Sequence, residues 1–245
     1  GMDGIQVAIA GPAADTTGVG ALNPGPGQYQ WFAGGGAGGA PSGTASGGVG
    51  GGASQSGTFA GEASTGGGGA CNIGGSTGGG AGGSGIVIVR YQIGTVSDTK
   101  ATGGSVSFYG GKTIHAFVNS GTFIVPGSFN ETVEYVVVGG GGAGGGPSIQ
   151  PADSYYGAGG GAGAYIKGTT PISTPQTIAI QVGAGGAKGQ LTPVAGSPSY
   201  FGTPITAPGG GFGATWQDGL AGNRNGGPGG SSGGATYGGP GTAES

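Results

Sequence analysis

His115 is the only histidine of the chain, and it lies in the run TIHAFV at 113–118. A histidine acts as a general base or metal ligand only beside a nucleophile, an orienting carboxylate or further ligands. Strand alternation instead places His115 on one side with Thr113 and Phe117, which predicts a structural strand histidine. Glu131 and Glu134 flank the start of an apolar run. Two carboxylates roughly 5–9 Å apart in one cleft could hydrolyse glycosides, but nothing in the sequence brings these two to a shared cleft. Asp3, Asp15, Asp98, Asp153 and Asp218 are dispersed, and no D-x-D-x-D-G loop for calcium is present. G-x-G-x-x-G recurs throughout, yet a dinucleotide site needs a strand before it and a helix after it. Val138 ends a strand-like run, but the following GGGGAGGGPSIQPADS cannot open a helix, and GAGGAKGQ at 183–190 lacks the G-K-[ST] of a phosphate loop. Asn130-Glu131-Thr132 fits a glycosylation acceptor, a triplet that arises often by chance. Cys71 is alone, so no intrachain disulfide can form. The expectation is a protein with no catalytic, metal or cofactor site, and not an enzyme.

The elements that would have to position such residues are unusual. Glycine supplies 73 of 245 residues, in runs such as 34–36, 66–69, 78–80, 139–142, 144–146, 159–161 and 209–211. Glycine buries almost no side-chain area and loses the most backbone entropy on ordering. Such tracts must therefore pack backbone against backbone or hang on a few apolar anchors. Charged residues are 6% of the chain and the net charge is −3, with Arg90, Lys100, Lys112, Lys167, Lys188 and Arg224 scattered. No basic stripe for nucleic acid exists. Low charge also opposes the usual composition of disorder. No apolar run reaches the roughly 18 residues of a membrane span, and GMDGIQVAIAGP lacks the basic start of a signal peptide. Doubled glycines break the collagen frame. Glycine can still form a threefold extended helix with no internal hydrogen bonds, and side-by-side helices of this kind satisfy one another's N–H and C=O groups. Packed polyglycine-II helices are therefore expected.

Apolar residues gather in short β-like runs: IVIVRY at 86–91, TIHAFV at 113–118, SGTFIVP at 120–126, VEYVVV at 133–138, AYIK at 164–167 and TIAIQV at 177–182, with IQVAIA at 5–10 weaker. All are short, β-branched or aromatic, and bounded by turn residues. No stretch holds helical periodicity over three turns. The expected fold is all-β, a sandwich- or jelly-roll-like strand cluster combined with polyglycine-II helices and essentially no α-helix. Residues 1–93 read as a glycine-rich arm ending in a strand, 94–111 as a connector, and 112–245 as a strand-rich half followed by a second arm.

The run from GTFIVP through VEYVVVGGGG, a tyrosine-containing strand, a TI-type strand ending in VGAGG, and a closing GGSGIVIVRY resembles the glycine-rich domain of phage tail-fibre proteins, cyanophage-like ones among them, and of related bacterial glycine-rich repeat proteins. The opening matches 120–142, 163–167 and 177–186, SYFGTPITAPGGG at 199–211 also fits, and the closing matches 82–91. Here the closing half comes first. The resemblance implies a structural subunit of an extracellular or virion-associated fibre, its units joined head to tail by complementing halves or as tandem repeats. The partner is then the chain itself, as a homo-oligomer or filament. The residues expected to carry assembly are Ile86, Val87, Ile88, Val89, Tyr91, Phe123, Val125, Val133, Tyr135 and Val137. A tail-fibre adhesin that meets a host cell-surface glycan or protein is the alternative. The aromatics in QYQWF at 28–32, Tyr155, Tyr156, Tyr200, Phe201, Phe212, Trp216 and Tyr237 read first as covers for side-chain-free tracts. Trp31 and Trp216 are the first candidates for stacking on a sugar.

Overall fold

The structure is a computed structural model that describes residues 1–14, 19–23, 25, 27–40, 44–72, 78–93, 100–146, 157–189, 191–215 and 225–236. Among them there is no helix, and the strands form three antiparallel sheets, so the protein is all-β as its short apolar runs predict.

The central sheet has the order β5-β6-β4-β8-β9, from β4 (Ile86–Gln92), β5 (Ser105–Tyr109), β6 (Lys112–Phe117), β8 (Glu131–Val138) and β9 (Tyr165–Ile172). β4 lies between β6 and β8, with Val89 opposite both His115 and Tyr135. Its continuous apolar run follows from burial on both faces. Val87, Val89 and Tyr91 join Phe117, Val133 and Val137 on one face, and meet Phe123, Val125, Ile180, Phe201 and Ala207. Those last residues belong to a four-stranded sheet of β7 (Gly121–Val125), β10 (Gln176–Gln181), β11 (Ser199–Phe201) and β12 (Ile205–Ala207). Ile86 and Ile88 join Ile114, Val136 and Val138 on the opposite face, against Ile9 and Phe32. Phe32 ends β3 (Gln28–Phe32), which pairs with β1 (Ile5–Gln6) and β2 (Ala21–Asn23) in the third sheet.

Two strands depart from the sequence reading. β5 falls inside the stretch read as a connector. It is exposed along its length at the edge of the central sheet, and its short alternation of Ser105 and Ser107 with Val106 and Phe108 is set among glycine and turn residues. Gly110 and Gly111 join it to β6 with φ of 57° and 73°, the left-handed pair that a two-residue hairpin needs. β9 runs on past AYIK, through Pro171 opposite Thr132. Proline lacks the N–H of an inner strand, and β9 tolerates it because it is an edge.

Extended stretches, most of them glycine-rich, continue the strands at one end of the layers. Residues 1–4, 78–85, 157–164 and 191–198 lead into β1, β4, β9 and β11. Residues 33–40, 139–146, 182–187 and 208–215 leave β3, β8, β10 and β12. Each strand that ends there pairs antiparallel with one that starts there.

Candidate functional site

The tract after β8 lies at the centre of these extensions. The N–H groups of Gly139, Gly142 and Gly145 donate to the carbonyls of Ala164, Gly161 and Ala158. Those of Gly140 and Ala143 donate to Ser197 and Val194, and those of Gly141 and Gly144 to Gly83 and Gly80. Three residues forward on the donor side correspond to three residues back on the acceptor side. The donor direction thus turns by a third of a revolution per residue, toward three antiparallel neighbours. Carbonyls of the same tract accept from three more. Gly142 and Gly145 accept from Gly69 and Asn72, Gly140 and Ala143 from Gly210 and Gly213, and Gly141 from Gly186.

Steric closeness explains the glycines. A Cβ on Gly142 would sit 2.1 Å from the Gly211 carbonyl oxygen, and one on Gly145 would sit 1.9 Å from that of Ala214. Neither residue has a positive φ, so the requirement is close approach and not a left-handed backbone. Each buried pair is worth about 0.5–1.5 kcal/mol net, whereas a buried group left unpaired costs about 1–3 kcal/mol. The tracts therefore stand or fall together.

Of the residues whose types could do chemistry, Tyr91 and His115 are held inside the layers. Ala101 N–H donates to the Tyr91 hydroxyl at 3.0 Å. His115 Nδ1 lies 2.6 Å from the Gly103 carbonyl, which can only accept, so Nδ1 carries the proton. Nε2 then accepts from the Tyr91 hydroxyl at 3.0 Å. Both side chains are fully buried. Burial pushes the His115 pKa down and the Tyr91 hydroxyl up. The His115 ring stands edge-on to Phe123 at 5.1 Å. Glu131 pairs with Lys100. Glu134 pairs with Arg90 at 2.7 Å and Lys112 at 3.2 Å, and the Arg90 hydrogen bond holds its carboxyl below the usual range. Three residues apart on β8, the two glutamates point to opposite faces. Arg90 also donates to the carbonyls of Ala8 and Ile9 at 3.1 and 3.2 Å, tying the third sheet's layer to the central one. Cys71 is buried and accepts from Gln55 Nε2 at 3.2 Å; burial pushes its thiol up.

Of the residues expected to carry assembly, Ile86, Val87, Ile88, Val89, Tyr91, Phe123, Val125, Val133 and Val137 are buried in this chain's own core, and Tyr135 packs against it half-buried. β4, from the half that reads as closing, pairs with β8 from the half that reads as opening, within one chain. Trp31 is half-buried in β3, with its Nε1 buried and unpartnered. Trp216, Tyr155, Tyr156, Tyr237, Asp15, Asp98, Asp153 and Asp218 lie outside the described residues. The tract after β8, with its threefold hydrogen bonding, was the feature that single residues did not disclose. Its signal is the direct passage from strand to glycine in VEYVVVGGGG and from glycine to strand in GGSGIVIVRY.

These features define an all-β protein whose layered strands pass into tracts cross-bonded through their backbones. A family described as glycine-rich domain matches residues 116–245, and the chain belongs to that family. No curated protein and no solved structure shows significant similarity to it. No helix among the described residues is long and apolar enough to cross a membrane.

Proposed function

We propose that this chain is a structural subunit of a self-assembling fibre, extracellular or virion-associated, of the kind that phage tail fibres represent. Its glycine tracts act as packed polyglycine-II helices. The observation that carries the reading is the threefold turn of hydrogen bonds around residues 139–145. Bonds in three directions resist bending and shear on every side, which is the property a load-bearing rod requires. The chain works through this scaffold and not through catalysis, because His115, Glu131 and Glu134 are engaged in internal pairs. Its first partner is another copy of itself, and it requires neither nucleic acid nor a membrane span.

Electron microscopy of the purified protein beside a denaturing gel tests this. Filaments that dissolve to a band near 22.4 kDa are expected. Small discrete particles that bind cell-surface glycan or protein would replace the fibre reading with that of a tail-fibre adhesin.

A further inference from the structure

The tract 157–164, which leads into β9, repeats the bonding of its neighbour with one side missing. Ala158, Gly161 and Ala164 donate to Ala214, Gly211 and Pro208, and Gly160 and Gly163 donate to Gly69 and Gly66. In the third direction stand the N–H groups of Gly159 and Ala162. Neither has an acceptor among the described residues, although Gly159 is buried and Ala162 is only 5% exposed. The carbonyls of this tract are served from three sides: Gly161 from Gly142, Gly160 from Gly36, and Gly159 from Gly234. Five places around it are thus filled.

The sixth place is a groove of about 960 Å³. Residues 157–165 form its floor, residues 1–5 with Gly35, Gly36, Gly38 and Gly39 flank one side, and 230–236 flank the other. Both kinds of backbone group are unmet there. Gly159 and Ala162 offer N–H groups, and the carbonyls of Gly36 and Gly39 receive no backbone donor among the described residues. Two donors three residues apart are about 9 Å apart along a threefold extended chain. Their partner must present carbonyls at the same repeat and N–H groups toward the flank. A neighbouring glycine-rich tract does both, and side chains are excluded wherever the walls approach as closely as they do elsewhere in the array.

We infer that this groove, left vacant by the described residues, is a column of the glycine array filled in the assembled state by a glycine-rich segment of a second copy of this chain. The inference rests on the proposed self-assembly and names the place where it occurs. The occupant accepts hydrogen bonds from Gly159 and Ala162 and donates to Gly36 and Gly39. This chain's own tracts have the required repeat and almost no charge to repel a second copy.

Gly38 allows a direct test. Its φ is not positive, and a Cβ there would meet nothing closer than the Gly159 nitrogen at 3.8 Å. Gly38→Leu should therefore fold with unchanged thermal stability while placing a side chain in the groove. Gly127 is exposed with nothing within 4 Å of a Cβ and lies away from the groove, so Gly127→Leu is the control. Assembly is read by sedimentation over a concentration series, and the Gly159 and Ala162 amides by hydrogen exchange in wild-type protein. The expected result is at least about a tenfold rise in the concentration at which Gly38→Leu assembles. Gly127→Leu should match wild type, and both amides should be protected only in the assembled protein. If Gly38→Leu assembles like wild type, the groove inference falls and the fibre reading stands. A wild-type chain that stays monomeric at every concentration defeats both. Protection of both amides already in a monomer means that the chain fills its own groove, which overturns a second copy as the occupant.

Discussion

Val136 and Gly142 are six residues apart on one continuous stretch of backbone and obey opposite rules. At Val136 the chain is a strand, hydrogen-bonded only to β4 and β9 within its sheet. The layers above and below are reached by side chains, Val133 and Val137 on one side and Val136 and Val138 on the other. At Gly142 the chain is bonded to Gly161 by its N–H and to Gly69 by its carbonyl, and its immediate neighbours bond in other directions. Cohesion between layers has passed from apolar burial to hydrogen bonding. The residue requirement reverses with it: the strand region fails when a side chain is lost, the tract region when one is added.

The largest expected effect comes from Gly142→Ala. Its Cβ lands 2.1 Å from a backbone oxygen that cannot swing aside. Overpacking of about 1–3 kcal/mol combines with strain at two buried hydrogen bonds. A loss of about 3–9 kcal/mol, up to failure to fold, should appear in chemical denaturation. Wild-type stability for this variant would break the comparison. On the strand side, Phe123→Ala removes the ring that packs against Tyr91, His115, Phe129 and Phe201. A cost of about 3–5 kcal/mol is expected.

Titration separates the regions next, because the buried histidine and the ion pairs belong to the layered half. The pKa of His115 is lower in the folded chain than its ordinary value of 6.5, so the unfolded chain binds more protons. The stability linked to neutral His115 is complete above about pH 6.5 and is lost as pH falls below it. Glu134, also depressed, adds a further loss as pH falls below its ordinary 4.5. Thermal melts in His115→Phe should lose the first phase and keep the second. The smallest effect is expected for Lys112→Ala, which removes a partly exposed partner of Glu134. A change of about 0.2–1 kcal/mol, weaker at high salt, is expected.

The strand region was largely legible. IVIVRY, VEYVVV and TIHAFV read as strands because β-branched and aromatic residues mark a buried sheet. TIAIQV alternates as it should, with Ile180 buried and Thr177 and Ala179 exposed. β11 and β12 are three residues each, too short for periodicity to reveal, and the short, solvent-exposed β5 hid among glycine and turn residues. The tract region was legible only as composition. A strand records its neighbours in which side chains are apolar, whereas a glycine tract carries no such record. Nothing in GGGGAGGG tells that Gly140 meets Ser197 and Gly141 meets Gly83. The pairing of β4 with β8 inside one chain was hidden for a related reason. Strand pattern states that a partner is needed, and chain order does not state which copy supplies it.

The 2.1 Å approach at Gly142 also sets how this gene can drift. Every missense change in a glycine codon adds at least a methyl group, so no mild substitution exists at such a position. Selection should keep the tract codons nearly fixed while exposed positions such as Gly127, where a methyl meets nothing, accumulate replacements freely.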